Sequence, residues 1–294
     1  MTRWWVIVNP SAGRGRNLTL RVQAALNSRA VDYEVRTSES SEAIGGIVQE
    51  GRALGYEAFL SVGGDGTANL VLNQLLKDEW TKPPTLGVLP AGSGSDFVRT
   101  FAIPNELETA ADHLLDEERY PVDVGCLSGL FGRRYFLNAA NAGLAARTVV
   151  EAGRFPNWMA QRRYLLGFWS ALARTAPDEI HVKCDDRTIT TVGWNVVIAN
   201  GQFFGGGMNV APRAAAGDGL FDVQVFSGPR RIAPAVIRRV VRGTHLTHTS
   251  VRRTTGRRVD VEIPRSWLVE ADGEILGSGP FSAEVLGGLL EFKI

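Results

Sequence analysis

The first third of the chain alternates between two kinds of hydrophobic pattern. Short apolar runs at 4–8, 31–36, 59–62 and 86–90 read as strands, and the most uniform of them are of the kind buried on both faces. Helical repeats lie between them. Leu18, Val22 and Ala25 share one face, a second helix runs from a cap at Ser40 or Ser41 to about Leu54, and Ala68, Leu72, Leu75 and Leu76 recur at helical spacing. This regular alternation of strand and helix predicts a mostly parallel sheet with helices on both faces, and such sheets bind ligands at the carboxyl ends of their strands.

From about Asp123 the pattern changes. Short β-rich runs separated by turn residues take over at 135–138, 180–184, 192–199, 221–226, 259–263, 267–271 and 290–294, with helices at 158–174 and 233–242. That texture predicts an antiparallel sandwich or barrel. The expected fold class is α/β, with an N-terminal α/β domain and a C-terminal antiparallel β-rich sandwich domain that meet near Pro121, giving 1–122 and 123–281.

Composition narrows the partners. With 294 residues, 44% of them hydrophobic, the chain has enough apolar content for two cores. The net charge of +1 argues against a globally basic nucleic-acid binder, and no nucleic-acid partner is expected. Charge is nevertheless unevenly placed, because ten arginines stand between Gly228 and Arg265 against two acids, Asp260 and Glu262. That segment is either a solvated face or a surface for anionic lipid or phosphate. Cys126 and Cys184, far apart, predict a reducing compartment and no disulfide framework. No run approaches the ~20 apolar residues that span a bilayer, and the N-terminal run is too short for a signal sequence. The expected location is cytoplasmic, at most peripheral to the inner face of the membrane.

Candidate chemistry concentrates in three loops at strand carboxyl ends. They are Asn9-Pro10-Ser11-Ala12-Gly13-Arg14-Gly15-Arg16, Gly63-Gly64-Asp65-Gly66-Thr67, and Ala91-Gly92-Ser93-Gly94-Ser95-Asp96-Phe97. The second opens a helix, so its glycines bring bare backbone N–H groups to a helix N-terminus, as an anion cradle does; a tight turn capped by Asp65 is the plainer reading. The common phosphate loop and the dinucleotide fingerprint are both absent, as are zincin spacing and a Gly-x-Ser-x-Gly elbow. His245 and His248, three apart and without a nearby carboxylate, read as solvated polar residues.

In the second half, Asp218 stands between Gly217 and Gly219 before a strand, where it either holds a hard cation with backbone carbonyls or serves as the acceptor of its own turn. The run Glu270-Ala271-Asp272-Gly273-Glu274 reads as a hairpin with carboxylates on either side of Gly273, again an exposed turn or a functional one. The segment 158–174, with Trp158, Trp169 and interspersed arginines, is either an interfacial or acceptor-gating helix or part of the second core.

Together these motifs resemble the bacterial diacylglycerol kinase and lipid kinase family, related to the eukaryotic diacylglycerol, ceramide and sphingosine kinases. The resemblance covers nearly the whole chain: Asn9-Pro10 with Gly13, Gly63-Gly64-Asp65-Gly66-Thr67, Leu89-Pro90 with Gly92, Asp96-Phe97, Asp123-Val124-Gly125, Asn138 with Gly143, Asn200-Gly201, Asp218-Gly219-Leu220 with Asp222-Val223, and Asp272-Gly273-Glu274. It implies a kinase that uses ATP and Mg²⁺, a nucleotide-binding first domain to which a segment of about 282–294 returns, and a second domain that takes a lipid substrate at a membrane surface. It also implies residue roles. Asn9, Gly13, Arg14, Thr37, Gly63, Gly64, Asp65, Gly66, Thr67, Gly92 and Ser93 would meet the nucleotide. Asp65 and Asp123 would organise catalytic Mg²⁺, Glu274 would take the proton from the acceptor hydroxyl, and Asp218 with the carbonyls of Ala215 and Leu220 would hold a structural metal. One departure stands out: where many members have Gly-Thr-x-Asn-Asp-Phe, this chain has Ser95 in place of the Asn. An NAD kinase-like enzyme with a soluble acceptor and a non-catalytic nucleotide-binding module are the competing readings. No motif names the acceptor lipid or the oligomeric state, a homodimer included.

Overall fold

The computed structural model describes residues 2–12, 17–92, 95–156, 159 and 162–294. The chain divides into two units, Met1–Val124 with Gly287–Ile294, and Gly125–Leu286.

The first unit contains β1 (Arg3–Val8), α1 (Leu18–Asn27), β2 (Asp32–Thr37), α2 (Ala43–Ala53), β3 (Ala58–Gly63), α3 (Asp65–Leu75), β4 (Thr85–Pro90), the short α4 (Asp96–Arg99) and α5 (Leu107–Ala110), and the start of β5 (Arg119–Gly129). β1 lies between β2 and β3, and β3 pairs with β4, all in parallel. Residues from a distant part of the sequence complete this sheet, with Glu291 and Phe292 pairing in parallel with Thr85 and Leu86 of β4. β3 and β4 are buried at every position, as expected of parallel strands covered on both faces, whereas the edge strand β2 is only half-buried. Helix α2 docks where it lacks a side chain. A Cβ on Gly51 would stand 2.6 Å from the Trp5 ring, and the indole N–H instead reaches the carbonyl of Ile47 at 2.9 Å.

The second unit contains the rest of β5, then β6 (Gly132–Phe136), β7 (Ala139–Gly143), α6 (Leu144–Ala152), α7 (Arg162–Arg174), β8 (Asp178–Cys184), β9 (Arg187–Ala199), β10 (Phe203–Phe204), β11 (Met208–Asn209), β12 (Phe221–Ser227), α8 (Ala233–Val241), β13 (Val251–Gly256), β14 (Arg258–Glu262), β15 (Leu268–Ala271), β16 (Glu274–Ser278) and most of the first half of β17 (Phe281–Lys293). Its pairings are antiparallel. β9 is long enough to pair with β8 through its first half and to lie between β7 and β12 through its second.

Period-two alternation sends neighbouring residues into two cores. From β9, Val196 and Ile198 join Phe136, Phe221, Val223 and Trp267 in the core between strands, whereas Val197 and Ala199 face a second core roofed by α7 and α8; Trp194 joins that second core where the β9–β12 register shifts, Phe226 pairing with Asn195 but Ser227 with Gly193. α7 turns Gly167, Phe168, Ala171 and Leu172 inward and leaves Leu165, Leu166 and Trp169 61%, 39% and 51% exposed. It is therefore part of the core and presents an apolar outer face as well. α6 and α7 are bolted together by Glu151, whose buried carboxylate accepts Ser170 Oγ, Arg154 and Arg174 at 2.8–2.9 Å.

His245 corrects the sequence expectation. It is fully buried, and its Nε2 bonds Gln224 Oε1 at 2.9 Å, while Gln224 Nε2 donates to Asp222 and to the carbonyl of Val210. Its partners come from β12, distant in sequence, so the local Gly-Thr-His pattern carried no trace of them. Both cysteines are buried thiols. Among the described residues no helix is long and apolar enough to cross a membrane.

Candidate active site

In the first unit, the strand order β2-β1-β3-β4 places a topological switch between β1 and β3, where the chain departs to opposite sides of the sheet. Asn9 follows β1, and the Gly63-Gly64-Asp65-Gly66-Thr67 turn ends β3 and opens α3. The two loops meet across the switch: Asn9 N–H donates to the carbonyl of Val62 at 3.0 Å, and Asn9 Nδ2 donates to Thr67 Oγ1 at 3.1 Å. Thr67 folds back over the turn so closely that a Cβ on Gly63 would lie 2.4 Å from Oγ1, so only glycine fits there. Among the described residues, a Cβ on Gly66 would meet nothing within 4 Å, which leaves open space beside the first turn of α3. At that turn the leading N–H groups of a helix have no intrahelical acceptor and the helix dipole favours an anion.

The third loop is tied to the second. Ala91 and Gly92 donate their N–H groups to the carbonyl of Gly63 at 2.9 and 3.3 Å, and the Asp65 carboxylate accepts the N–H groups of Asp96 at 2.8 Å and Phe97 at 3.1 Å. Asp65 thereby caps α4 from another loop. Ser95, the residue at that cap position, makes no side-chain cap bond, and its Oγ is buried without a partner among the described residues. Thr37, at the end of β2, shares a 3.1 Å hydroxyl contact with Thr19 of α1. Asp123 is buried near the end of this unit's stretch of β5, with Gly287 passing so close that a Cβ there would be 3.4 Å from its Oδ1. Gly13, Arg14 and Ser93 lie outside the described residues.

In the second unit, β15 and β16 are joined by Asp272 and Gly273, both at positive φ (48° and 85°), the two-residue hairpin that an Asp-Gly pair favours. Asp272 is more than a turn former. Its carboxylate accepts the N–H groups of Leu137, Asn138 and Ala139 at 2.8, 3.0 and 3.1 Å, which sews the turn to the segment before β7. Glu274 is exposed, with Arg134 of β6 3.9 Å from its Oε1. Glu270 is buried beneath the same turn, accepting the Gly273 N–H at 2.9 Å and the Asn141 side-chain amide. Burial pushes its carboxyl up to about 7, with the Gly273 and Asn141 bonds opposing the rise and the Asp272 charge adding to it.

The sequence pattern marks neither Glu270 nor Asn141 as a site residue. Glu270 stands four residues from Glu274 in a strand, and nothing local signals that it is buried against β7. Asp218, in contrast, is exposed and accepts the N–H of Leu220 at 3.0 Å, while the Ala215 carbonyl accepts the N–H groups of Gly217 and Asp218. That is the geometry of a local turn. No group of three or more His, Cys, Asp or Glu side chains suited to a metal is found among the described residues.

Comparison with known proteins places both halves. The Diacylglycerol kinase catalytic domain family matches residues 3–127, and the YegS C-terminal NAD kinase beta sandwich-like domain family matches residues 138–293. The chain is 27% identical over 289 residues to a protein of Bacillus subtilis (strain 168) named "Diacylglycerol kinase", covering 95% of this chain and 92% of that one. It is 25% identical over 280 residues to a protein of Escherichia coli O9:H4 (strain HS) named "Probable lipid kinase YegS", with the same coverage of 95% and 92%. Two solved diacylglycerol kinase-like structures from Bacillus anthracis str. Sterne superpose with TM-scores of 0.83 and 0.74. They cover 99% of this chain and 94% and 96% of theirs, at 23% and 21% identity, a likeness of fold.

Proposed function

The chain belongs to the bacterial diacylglycerol and lipid kinase family, and from that membership we propose that it transfers the γ-phosphoryl group of ATP, with Mg²⁺, to the hydroxyl of a lipid, diacylglycerol or a similar one. The observation that carries the nucleotide part is the Asn9–Thr67 bond across the switch between β1 and β3, beside the open first turn of α3. Polyphosphate suits that turn because backbone N–H groups and a helix N-terminus converge on it. In this reading the first unit is the nucleotide domain, in which Asn9, Thr37, Gly63, Gly64, Asp65, Gly66, Thr67 and Gly92 face ATP. Gly13, Arg14 and Ser93 belong to the same proposal.

Mg²⁺ typically takes one or two protein carboxylates together with substrate phosphates, so a site without three clustered acids fits it. Asp65 and Asp123 would hold it. When bound, the ion neutralises charge on the phosphates, which is most of what phosphoryl transfer asks of its surroundings.

The second unit would present the acceptor, and Glu274 would remove the hydroxyl proton. Asp272 is poorly suited to that work because three backbone N–H groups stabilise its charge, whereas Glu274 is exposed. The exposed Leu165, Leu166 and Trp169 of α7 support contact with a membrane surface, in keeping with a cytoplasmic, peripheral protein. Exposed Arg231, Arg238, Arg239 and Arg242, before, along and just after α8 on the same core, add cationic charge suited to anionic lipid.

The test is transfer of label from γ-labelled ATP to extracted total lipid, with the product identified. A labelled lipid is expected. Label entering NAD with no lipid present would instead favour the soluble-acceptor reading, which the NAD kinase-like name of the second family keeps in view.

A further inference from the structure

The hairpin that carries Glu274 is fixed from two sides. On the outside, Asp272 binds three consecutive N–H groups leading into β7, those of Leu137, Asn138 and Ala139, and its own N–H returns to the carbonyl of Ala139 at 2.9 Å. On the inside, Glu270 reaches back under the turn to the N–H of Gly273, the residue immediately before Glu274. Glu270 and Asn141 are cross-strand partners in the β15–β7 register, so the carboxylate is held by a neighbouring strand as well as by its own turn.

A buried carboxylate is a costly way to hold one turn amide. Two-residue Asp-Gly hairpins form without such a support, and desolvating a carboxyl group opposes folding. Alternation puts Val269 and Ala271 in the core between strands and Glu270 on the other face of β15, where it is nevertheless buried, beside a register shift between Val269 and Glu270. The side chain therefore fixes where the next residue points. We propose that Glu270, with Asn141, is a positioning residue that acts through the Gly273 amide to aim the Glu274 carboxylate at the acceptor hydroxyl. The inference rests on Glu274 being the base, as proposed above.

A proton acceptor must lie within hydrogen-bond reach of the proton it removes, and a misplacement of about 1 Å can cost about 10²-fold in rate. Catalytic groups are held to such tolerances by buried side chains behind them. Glu270→Ala releases the Gly273 amide, and the expected result is a fall in kcat of about tenfold or more with KM for ATP and for lipid unchanged. Glu270→Gln keeps an acceptor for Gly273 and a partner for Asn141, and is expected to restore most of the rate. Asn141→Ala, which leaves the turn itself untouched, is expected to fall between them.

The deciding measurement is a double-mutant cycle in kcat at a temperature where circular dichroism shows every variant folded. If Glu270 works through Glu274, Glu270→Ala adds little to the loss already caused by Glu274→Gln. Multiplying losses, a rise in KM instead of a fall in kcat, or an unaltered kcat in both Glu270→Ala and Asn141→Ala overturns the inference. The two readings fail separately, because a fully active Glu274→Gln enzyme removes Glu274 as the base, whereas the cycle judges Glu270 only when that variant is impaired.

Discussion

The carboxylate of Asp65 accepts the backbone N–H of Asp96 at 2.8 Å, so a residue of the glycine turn after β3 caps the helix that follows β4. Changing Asp65 therefore disturbs two loops at once. Asp65→Asn keeps one good acceptor and is expected to cost about 1 kcal/mol of stability, the scale of a helix cap, and to weaken productive Mg²⁺–ATP binding. Glu274→Gln leaves fold and ATP affinity intact and is expected to lower turnover roughly 10²-fold or more. Asp272→Asn should be intermediate. Equilibrium nucleotide binding paired with single-turnover kinetics separates these outcomes, and near-normal turnover of Glu274→Gln at saturating lipid would falsify its assignment as base.

Glu270 makes stability depend on pH in a definite direction. Its carboxyl is raised to about 7 in the folded protein, so between the unfolded carboxyl value and 7 the folded state binds more protons than the unfolded one. Stability therefore falls as pH rises through that window, by on the order of 3 kcal/mol in total. Glu270→Gln removes this term. Denaturant titrations from pH 5 to 8 are expected to show a flatter profile for the variant and, at pH 8, a more stable protein than wild type.

The outer face of α7 gives a membrane test. Binding to sedimented liposomes is expected to rise with the fraction of anionic lipid and to fall about 10²-fold or more in Leu165→Ala with Trp169→Ala, since each large side chain withdrawn from water contributes about 1.5–3 kcal/mol and about 1.4 kcal/mol is a factor of ten. Equal binding by the double variant would mean that the exposed side chains do not touch lipid. Charge reversal at Arg238 and Arg239 should reduce binding to anionic vesicles alone.

Asp218 is proposed to hold a structural cation with the carbonyls of Ala215 and Leu220, in addition to its bond to the N–H of Leu220. The turn and the cation make different predictions for Asp218→Ala. Loss of the turn lowers the unfolding midpoint in any buffer, whereas a bound cation makes the wild-type midpoint rise with Mg²⁺ and the variant's stay put. The expected result is the Mg²⁺-dependent difference, and its absence from thermal unfolding would leave Asp218 as a turn residue only.

Much of this architecture was legible because its signals are local. Leu18, Val22 and Ala25 recur on a helical period, and all three are buried; the apolar runs around Leu60 and Leu89 are central parallel strands. The glycine turn declared itself through the strand before it and the helix after it. What escaped depended on partners far away in sequence. Asp65 looked like the cap of its own helix and instead caps α4. His245 looked solvated because its partner, Gln224, sits on another strand. Glu270 and Asn141 lie 129 residues apart, and no local pattern marks either as half of a buried pair.

The pairing of Glu291 and Phe292 with β4 has a consequence for the order in which the protein can be made. Phe292 is fully buried, with its ring 5.0 and 4.9 Å from those of Phe97 and Phe101. The ribosome adds residues 125–286 before it reaches 287–294, and at about 5–20 residues per second that interval is on the order of ten seconds. Throughout it, the nascent first unit has an unpaired strand edge at β4 and two uncovered phenylalanine rings. Folding from the N-terminus therefore stalls one strand short, and the part of the chain made first is the last to close its sheet. Its window of exposure to chaperones and to aggregation is set by translation of the segment in between.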